Sequence, residues 1–198
     1  MKFLQSADFG IVDIEEKKLT LEDIDVDIKK EDIPEDILKE LKIDGFSSIQ
    51  IYHHKYNDEK FVGLEYLPIG AESDGTRKLF ELSGAIIEAL DKGEVLIIDE
   101  LDNSFHTIMT QKLISLFHSK KNIKNAQLIF VSHDTNILTQ KIFRRDQIWF
   151  TEKDIYGATN LFSLIDFGTR KDTSLEKNYL AGKYGSIPAI TELEYDNG

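Results

Sequence analysis

Val95-Leu96-Ile97-Ile98-Asp99-Glu100 is the stretch from which the rest of the chain is read. Four consecutive apolar residues are too few for a helix and show no alternation. They predict a short strand buried on both faces, as in a parallel sheet, ending in two carboxylates. Upstream, residues 73–91 place Leu79, Leu82, Ile86, Ile87 and Leu90 at helical spacing, and Gly93 supplies the stop. Downstream, a helix from about Asn103 to His118 carries Ile108, Met109, Leu113, Leu116 and Phe117. A second apolar run, Leu128 to Val131, then ends in Ser132-His133-Asp134. Strand, helix and strand of this length fit a right-handed parallel crossover, so the predicted class is α/β.

Working outward, the chain before Pro68 reads as β-rich. Strands are predicted at Phe9–Ile14, Ser48–His54 and Phe61–Leu67, the last two joined at Asn57-Asp58. Glu15 to Asp44 is a run of lysines and carboxylates, with a short amphipathic helix after Pro34 formed by Ile33, Ile37, Leu38 and Leu41. Beyond the crossover, strands at Gln147–Thr151 and Thr159–Leu164 turn near Gly157, and a last helix runs from about Ser174 to Ala181. No repeat or low-complexity segment is visible.

Composition sets the limits. The 198 residues hold 24 basic and 36 acidic side chains, a formal net charge of −12. The excess is local: residues 1–70 contain 17 acidic and 9 basic groups, residues 71–150 contain 11 and 10. A body of that sign repels phosphate backbones at long range, which speaks against a broad nucleic-acid-binding face. The absence of cysteine excludes thiolate catalysis and Cys-based metal sites. No apolar run reaches the ~20 residues of a membrane span, and the first residues do not form a signal peptide, so the chain reads as cytoplasmic.

Ligands of open parallel sheets bind outside the carboxyl ends of the strands, where Asp99-Glu100 and His133-Asp134 are predicted to stand. An apolar strand ending Asp-Glu suits phosphoryl transfer: Asp99 can hold a water of a magnesium shell, and Glu100 can orient or deprotonate an attacking water. His133 on the neighbouring strand end can contact a γ-phosphate. Glu72-Ser73-Asp74-Gly75-Thr76 opens a helix, with Ser73 as cap and Gly75 allowing close approach of an anion to the backbone, and Arg77 and Lys78 add positive charge.

Taken in order, these segments resemble the C-terminal half of an ABC-type ATPase head of the P-loop NTPase class. Glu72 to Thr76 resembles the signature motif in its Ser-x-Gly-Thr form. Val95 to Glu100 resembles Walker B with its catalytic glutamate. Leu101 to His106 sits where the D-loop follows, with Phe105-His106 resembling the Leu-His ending of RecF-like and overcoming-lysogenization-defect ATPases, to which SMC-type heads are also related. Phe130 to Asp134 resembles the switch-histidine strand. Arg144 to Phe150 and Tyr179 to Pro188 resemble the ending of a bacterial subgroup of AAA-family ATPases, some linked to anti-phage defence.

One departure stands out. A P-loop needs Gly, four residues, then Gly-Lys-Ser/Thr, and the chain has none: its one Gly-Lys pair, Gly182-Lys183, lacks the earlier glycine and is followed by Tyr184. The resemblance then implies a C-terminal half, arising from truncation, a split gene or a partial chain. Residues 1–70 are the distal part of an inserted arm with its β-rich return, and 71–198 the C-terminal half of the head. It implies ATP and Mg²⁺ as cofactors and a P-loop-bearing N-terminal half or companion chain as partner. It implies a homodimer formed head to tail through ATP, with a possible effector protein and no membrane. Glu100 and His133 are then the catalytic residues. Ser73, Gly75 and Thr76 act on the partner head's nucleotide, Asp99 on magnesium, and His106 lies at the nucleotide's edge.

Two other readings compete. A metal-dependent nuclease or phosphohydrolase would gather Asp99, Glu100, Asp102, His106, His133 and Asp134, with Asp102 and His106 sharing a helix face. A non-catalytic regulatory module would use a small basic site of Arg144, Arg145, Arg170, Lys171 and Lys183.

Overall fold

The computed structural model describes residues 2–5, 10–19, 46–168 and 174–185. The helix expected after Pro34, together with Arg170, Lys171 and the Ser186-Ile187-Pro188 ending, lies outside the described residues. The chain forms two compact units, Met1–Leu96 and Ile97–Gly198.

In the first unit a short helix, α1 (Lys2–Gln5), precedes an antiparallel meander of β1 (Ile11–Leu19), β2 (Phe46–Asn57) and β3 (Lys60–Pro68). β1 thus runs five residues beyond its predicted end at Ile14, because Glu15 to Leu19 pair in register with Gln50 to Phe46. The period of two puts Ile51, fully buried, opposite Ile14, while Tyr52, His54 and Tyr56 share the other face of β2. A long helix, α2 (Asp74–Lys92), follows; its buried positions are Thr76, Leu79, Ile86 and Ala89. Ile87, predicted on the buried face, is 41% exposed, because the stripe follows 76, 79, 86 and 89 and leaves 87 to one side. Gly93 ends the helix with φ 77°, its N–H donating to the Ala89 carbonyl.

The β2–β3 hairpin turns on Asp58-Glu59, one residue later than predicted, because Asn57 pairs with Lys60. Both loop residues have positive φ, 46° and 66°, as a two-residue type I′ turn requires. A glutamate in that conformation costs about 1–2 kcal/mol relative to glycine. Glu59→Gly is therefore expected to stabilise the chain by about 1 kcal/mol, read as a higher denaturant midpoint with an unchanged slope; an unchanged midpoint would contradict the strain.

β4 (Val95–Ile98) spans the boundary between the units. Within the second unit come α3 (Thr107–Phe117), β5 (Gln127–Phe130), the hairpin β6 (Trp149–Lys153) and β7 (Thr159–Ser163), and α4 (Leu175–Leu180). β5 pairs with β4, and β6 pairs antiparallel with β7. Asn122 fastens the α3–β5 connection, its side chain donating to the carbonyls of Phe117 and Ala126 and accepting from the Ala126 N–H. Around the hairpin Phe150 stacks on Tyr179 and Tyr184, with ring centroids 5.6 and 5.3 Å apart, over Leu164 and Leu175.

Among the described residues the parallel sheet consists of the two strands expected of the crossover, β4 and β5; every other paired strand is antiparallel. Two other expectations are corrected. Neither strand is buried on both faces: Ile98 is buried, while Ile97 is 72% exposed, Ile129 54% and Val131 53%. Helix α3 begins at Thr107 rather than near Asn103, since Asp102 to Phe105 form turns in which Ser104 takes φ 67°. No helix among the described residues is long and apolar enough to cross a membrane.

Candidate functional site

The start of α2 lies wholly in the first unit. Ser73 is the cap: its hydroxyl accepts from the Thr76 N–H at 3.2 Å and lies 2.8 Å from the Thr76 hydroxyl. Thr76 itself is buried, Gly75 half-buried and Ser73 exposed, so Ser73 is the most open of the three. Arg77 is ion-paired with Asp74 and donates to the Gly70 carbonyl, so its charge is locally compensated. Sequence reasoning missed what precedes the cap. Glu72, with its side chain only 6% exposed, bonds the His53 ring at 2.7 Å, and the other ring nitrogen lies 3.2 Å from the Gly10 carbonyl oxygen.

In the second unit the strand ends meet as expected. The Val131 N–H donates to the Ile98 carbonyl, and the Val131 carbonyl accepts from the Leu101 N–H. One residue bonded to two different positions on its neighbour is the parallel pattern. In a regular parallel ladder those positions are two apart; here they are three apart, so Asp99 and Glu100 carry one residue more than the partner strand. The extra residue makes a bulge, and Glu100 takes φ 50°. Left-handed backbone at a residue with a Cβ costs about 1–3 kcal/mol, and such strain clusters at functional sites. Buried Ile98 and Leu101 on either side hold the bulge in place, while Asp99 and Glu100 are exposed.

The neighbouring loop is tied to this one by side chains. The Asp102 carboxylate accepts the His133 N–H at 3.3 Å. The Thr107 hydroxyl, at the first turn of α3, donates to Asp134 at 2.6 Å. The other Asp134 oxygen accepts the Asn136 backbone N–H at 2.9 Å and its side-chain amide at 2.7 Å, and the Asp134 N–H donates to the Ser132 hydroxyl at 3.0 Å. Burial acts to raise the Asp134 pKa, but the bonds from Thr107 and Asn136, with the nearby His106, outweigh it and hold it below the usual aspartate value. A depressed carboxylate contributes stability that is present above its unfolded-state pKa and is lost as pH falls through the folded one, so this contribution disappears only in acid. His106 is the α3 N-cap, with Nδ1 accepting the Ile108 N–H at 3.2 Å, while His133 is exposed.

These bonds show what the loops can do chemically. Asp99, Glu100 and His133 stand at one end of the parallel pair and are open to solvent, whereas Asp102 and Asp134 are occupied with backbone and hydroxyl donors. Asp102 lies in a turn outside α3, so it shares no helix face with His106. Among the described residues, no group of three or more histidines and carboxylates is gathered as a metal centre would need, which removes the cluster that the nuclease reading requires. Asp99 fits magnesium in a narrower sense, as a single exposed hard-oxygen donor of the kind that ion takes alongside phosphates and water. Of the basic residues in the regulatory reading, Arg144 is paired with Asp146 and Lys183 bonds Asn178, while Arg170 and Lys171 lie outside the described residues. Of the tying residues, Asp134 and Asn136 had a sequence signal, the Asp-Thr-Asn turn run. Thr107 had none, because its partner is 27 positions away.

Comparison with known families gives a match over residues 6–139, about two thirds of the chain, to the family described as "AAA domain, putative AbiEii toxin, Type IV TA system". Comparison with curated proteins and with solved structures gives no match. AAA domains are in general nucleotide-binding ATPases, and the matched range spans α2, both strands of the parallel pair and the Asp99, Glu100, His106 and His133 positions. The chain belongs to this AAA-domain family.

Proposed function

We propose that this chain supplies the hydrolytic and signature elements of an ABC-type ATPase whose P-loop comes from an N-terminal half or a companion chain. The observation that carries the reading is the bulge at Asp99-Glu100. It places two exposed carboxylates, one on a strained backbone, at the carboxyl end of a parallel strand pair beside His133. The absence of a Gly-x4-Gly-Lys-Ser/Thr run supports the division of labour. So does the row of exposed Ile97, Ile129 and Val131, an apolar sheet face of the kind another layer covers.

In this reading Glu100 orients a water and accepts its proton as the oxygen attacks the γ-phosphorus of ATP. The bond from that phosphorus to the β,γ-bridging oxygen breaks, giving ADP and phosphate. His133 contacts the γ-phosphate, and His106 borders the same site. Asp99 is the residue that would hold Mg²⁺, through water; bound there, the ion neutralises phosphate charge. Ser73, Gly75 and Thr76 at the start of α2 serve the nucleotide of a second head, so ATP joins two heads head to tail and gates an attached effector, with defence against phage as one such use.

Calorimetry tests the division of labour. The isolated 198-residue chain is expected to show no Mg-ATP binding in the micromolar range, and binding with turnover is expected once the P-loop-bearing half is added. Micromolar binding by the chain alone would overturn the reading.

A further inference from the structure

The strained Asp99-Glu100 bulge and the His133 strand end are on separate loops, yet their chemistry requires a fixed spacing. In the resting chain that spacing is not left to the backbone ladder alone, which ends at Leu101 and Val131. Beyond it two side-chain ties reach the loop after β5, one from the loop before α3 and one from the first residue of α3: Asp102 to the His133 N–H, and Thr107 to Asp134. The second is the shorter, and Asp134 is held from three sides, by Thr107, by Asn136 and, through its own N–H, by Ser132. A carboxylate so fully engaged has little capacity left for a ligand. Its neighbour His133 is the reverse, exposed, with a backbone N–H that is tied.

We infer that Thr107 and Asp134 are positioning residues that act through the backbone of His133: the Thr107 hydroxyl clamps the loop after β5 to the first turn of α3, which fixes His133 relative to Glu100. This rests on the ATPase reading for its functional meaning, but the clamp itself is a property of the isolated chain. Thr107 sits in the turn directly after the His106 cap, so the clamp joins the two histidine-bearing loops at their bases. The geometry also explains why Asp134 adjoins the histidine without serving as a ligand itself. Its two oxygens accept three donors, leaving the reacting centre to Glu100 and His133.

Thr107→Val keeps the shape and removes the donor, and Thr107→Ser restores it. In the P-loop-completed enzyme, Thr107→Val is expected to lower kcat about tenfold with KM for ATP changed less than twofold, and Thr107→Ser to return kcat to within twofold of the parent. In the isolated chain, the amide resonances of His133 and Asn136 are expected to move in Thr107→Val and to stay in place in Thr107→Ser, with thermal unfolding of both variants confirming a folded state. Unchanged amide resonances in Thr107→Val overturn the clamp whatever the turnover. Moved resonances with parental kcat, in an enzyme that Glu100→Gln still disables, overturn its positioning role and leave the ATPase reading standing. Parental turnover in Glu100→Gln strikes the ATPase reading instead, while the amide result still decides the clamp.

Discussion

Glu100→Gln is expected to lower ATP turnover by the P-loop-completed enzyme by a factor of about 10²–10⁴, the range by which a positioned general base accelerates proton transfer. Glutamine keeps the length and can still orient water, but it cannot take the proton, so ATP binding and head-to-tail pairing are expected to persist and paired heads to accumulate. The backbone at this position allows a second variant with the opposite stability effect. Because φ is 50° at Glu100, glycine there relieves about 1–2 kcal/mol of left-handed strain, so Glu100→Gly should unfold at a higher denaturant concentration than the parent while being at least as inactive. A residue present only for structure would not show that pairing of gain and loss. Single-turnover assays and denaturant midpoints on the same two variants check it. Parental turnover in Glu100→Gln would remove the assigned base, and a destabilised Glu100→Gly would remove the strain argument.

How much of this was legible beforehand differs element by element. The apolar runs at Val95 and Leu128 gave both strands of the parallel pair within a residue, and the polar groups closing them stand where the run lengths put them. Burial departs from the expectation for a physical reason. A run without alternation reads as covered on both faces, but periodicity carries no information about which layer does the covering, and Ile97, Ile129 and Val131 face outward. Helix α3 begins later than the sequence suggests, Asn103 and Ser104 being good helix starters in isolation. Asp102 is drawn instead to the His133 N–H and Ser104 to a left-handed turn, a long-range preference that no local signal encodes. The bulge was invisible for a similar reason: Asp-Glu after an apolar run gives the chemistry, but the extra residue exists only relative to Val131 on another strand. His53 carries no sequence signal for this bond to Glu72, since the spacing of the two fits neither a strand nor a helix and the pair forms only when β2 lies beside the start of α2.

That pair carries the largest stability effect expected from a single polar side chain. Removing the ring in His53→Ala leaves the Glu72 carboxylate, with its side chain 6% exposed, without its bond to the His53 ring, and a charged group stranded at low exposure costs about 3–5 kcal/mol when it is fully enclosed. The His53 ring is 23% exposed, so water reaches part of the gap and the expected loss is nearer 2 kcal/mol, a fall in Tm of about 4–8 °C for a chain of this size. Glu72→Gln keeps an acceptor oxygen and is expected to lose less than half as much. Glu72→Ala alone strands no carboxylate, and adding it to His53→Ala should recover part of the loss, giving a coupling energy of about 1 kcal/mol or more in a double-mutant cycle. The consequence passes along the chain because Glu72 directly precedes Ser73: loosening it frees the extended residue that aims the cap hydroxyl, and hydrogen exchange at the Thr76 amide should quicken in His53→Ala more than at Leu79 one turn further on. Equal exchange at both amides, or additive single-variant effects, would show that the His53 bridge does not hold the start of α2.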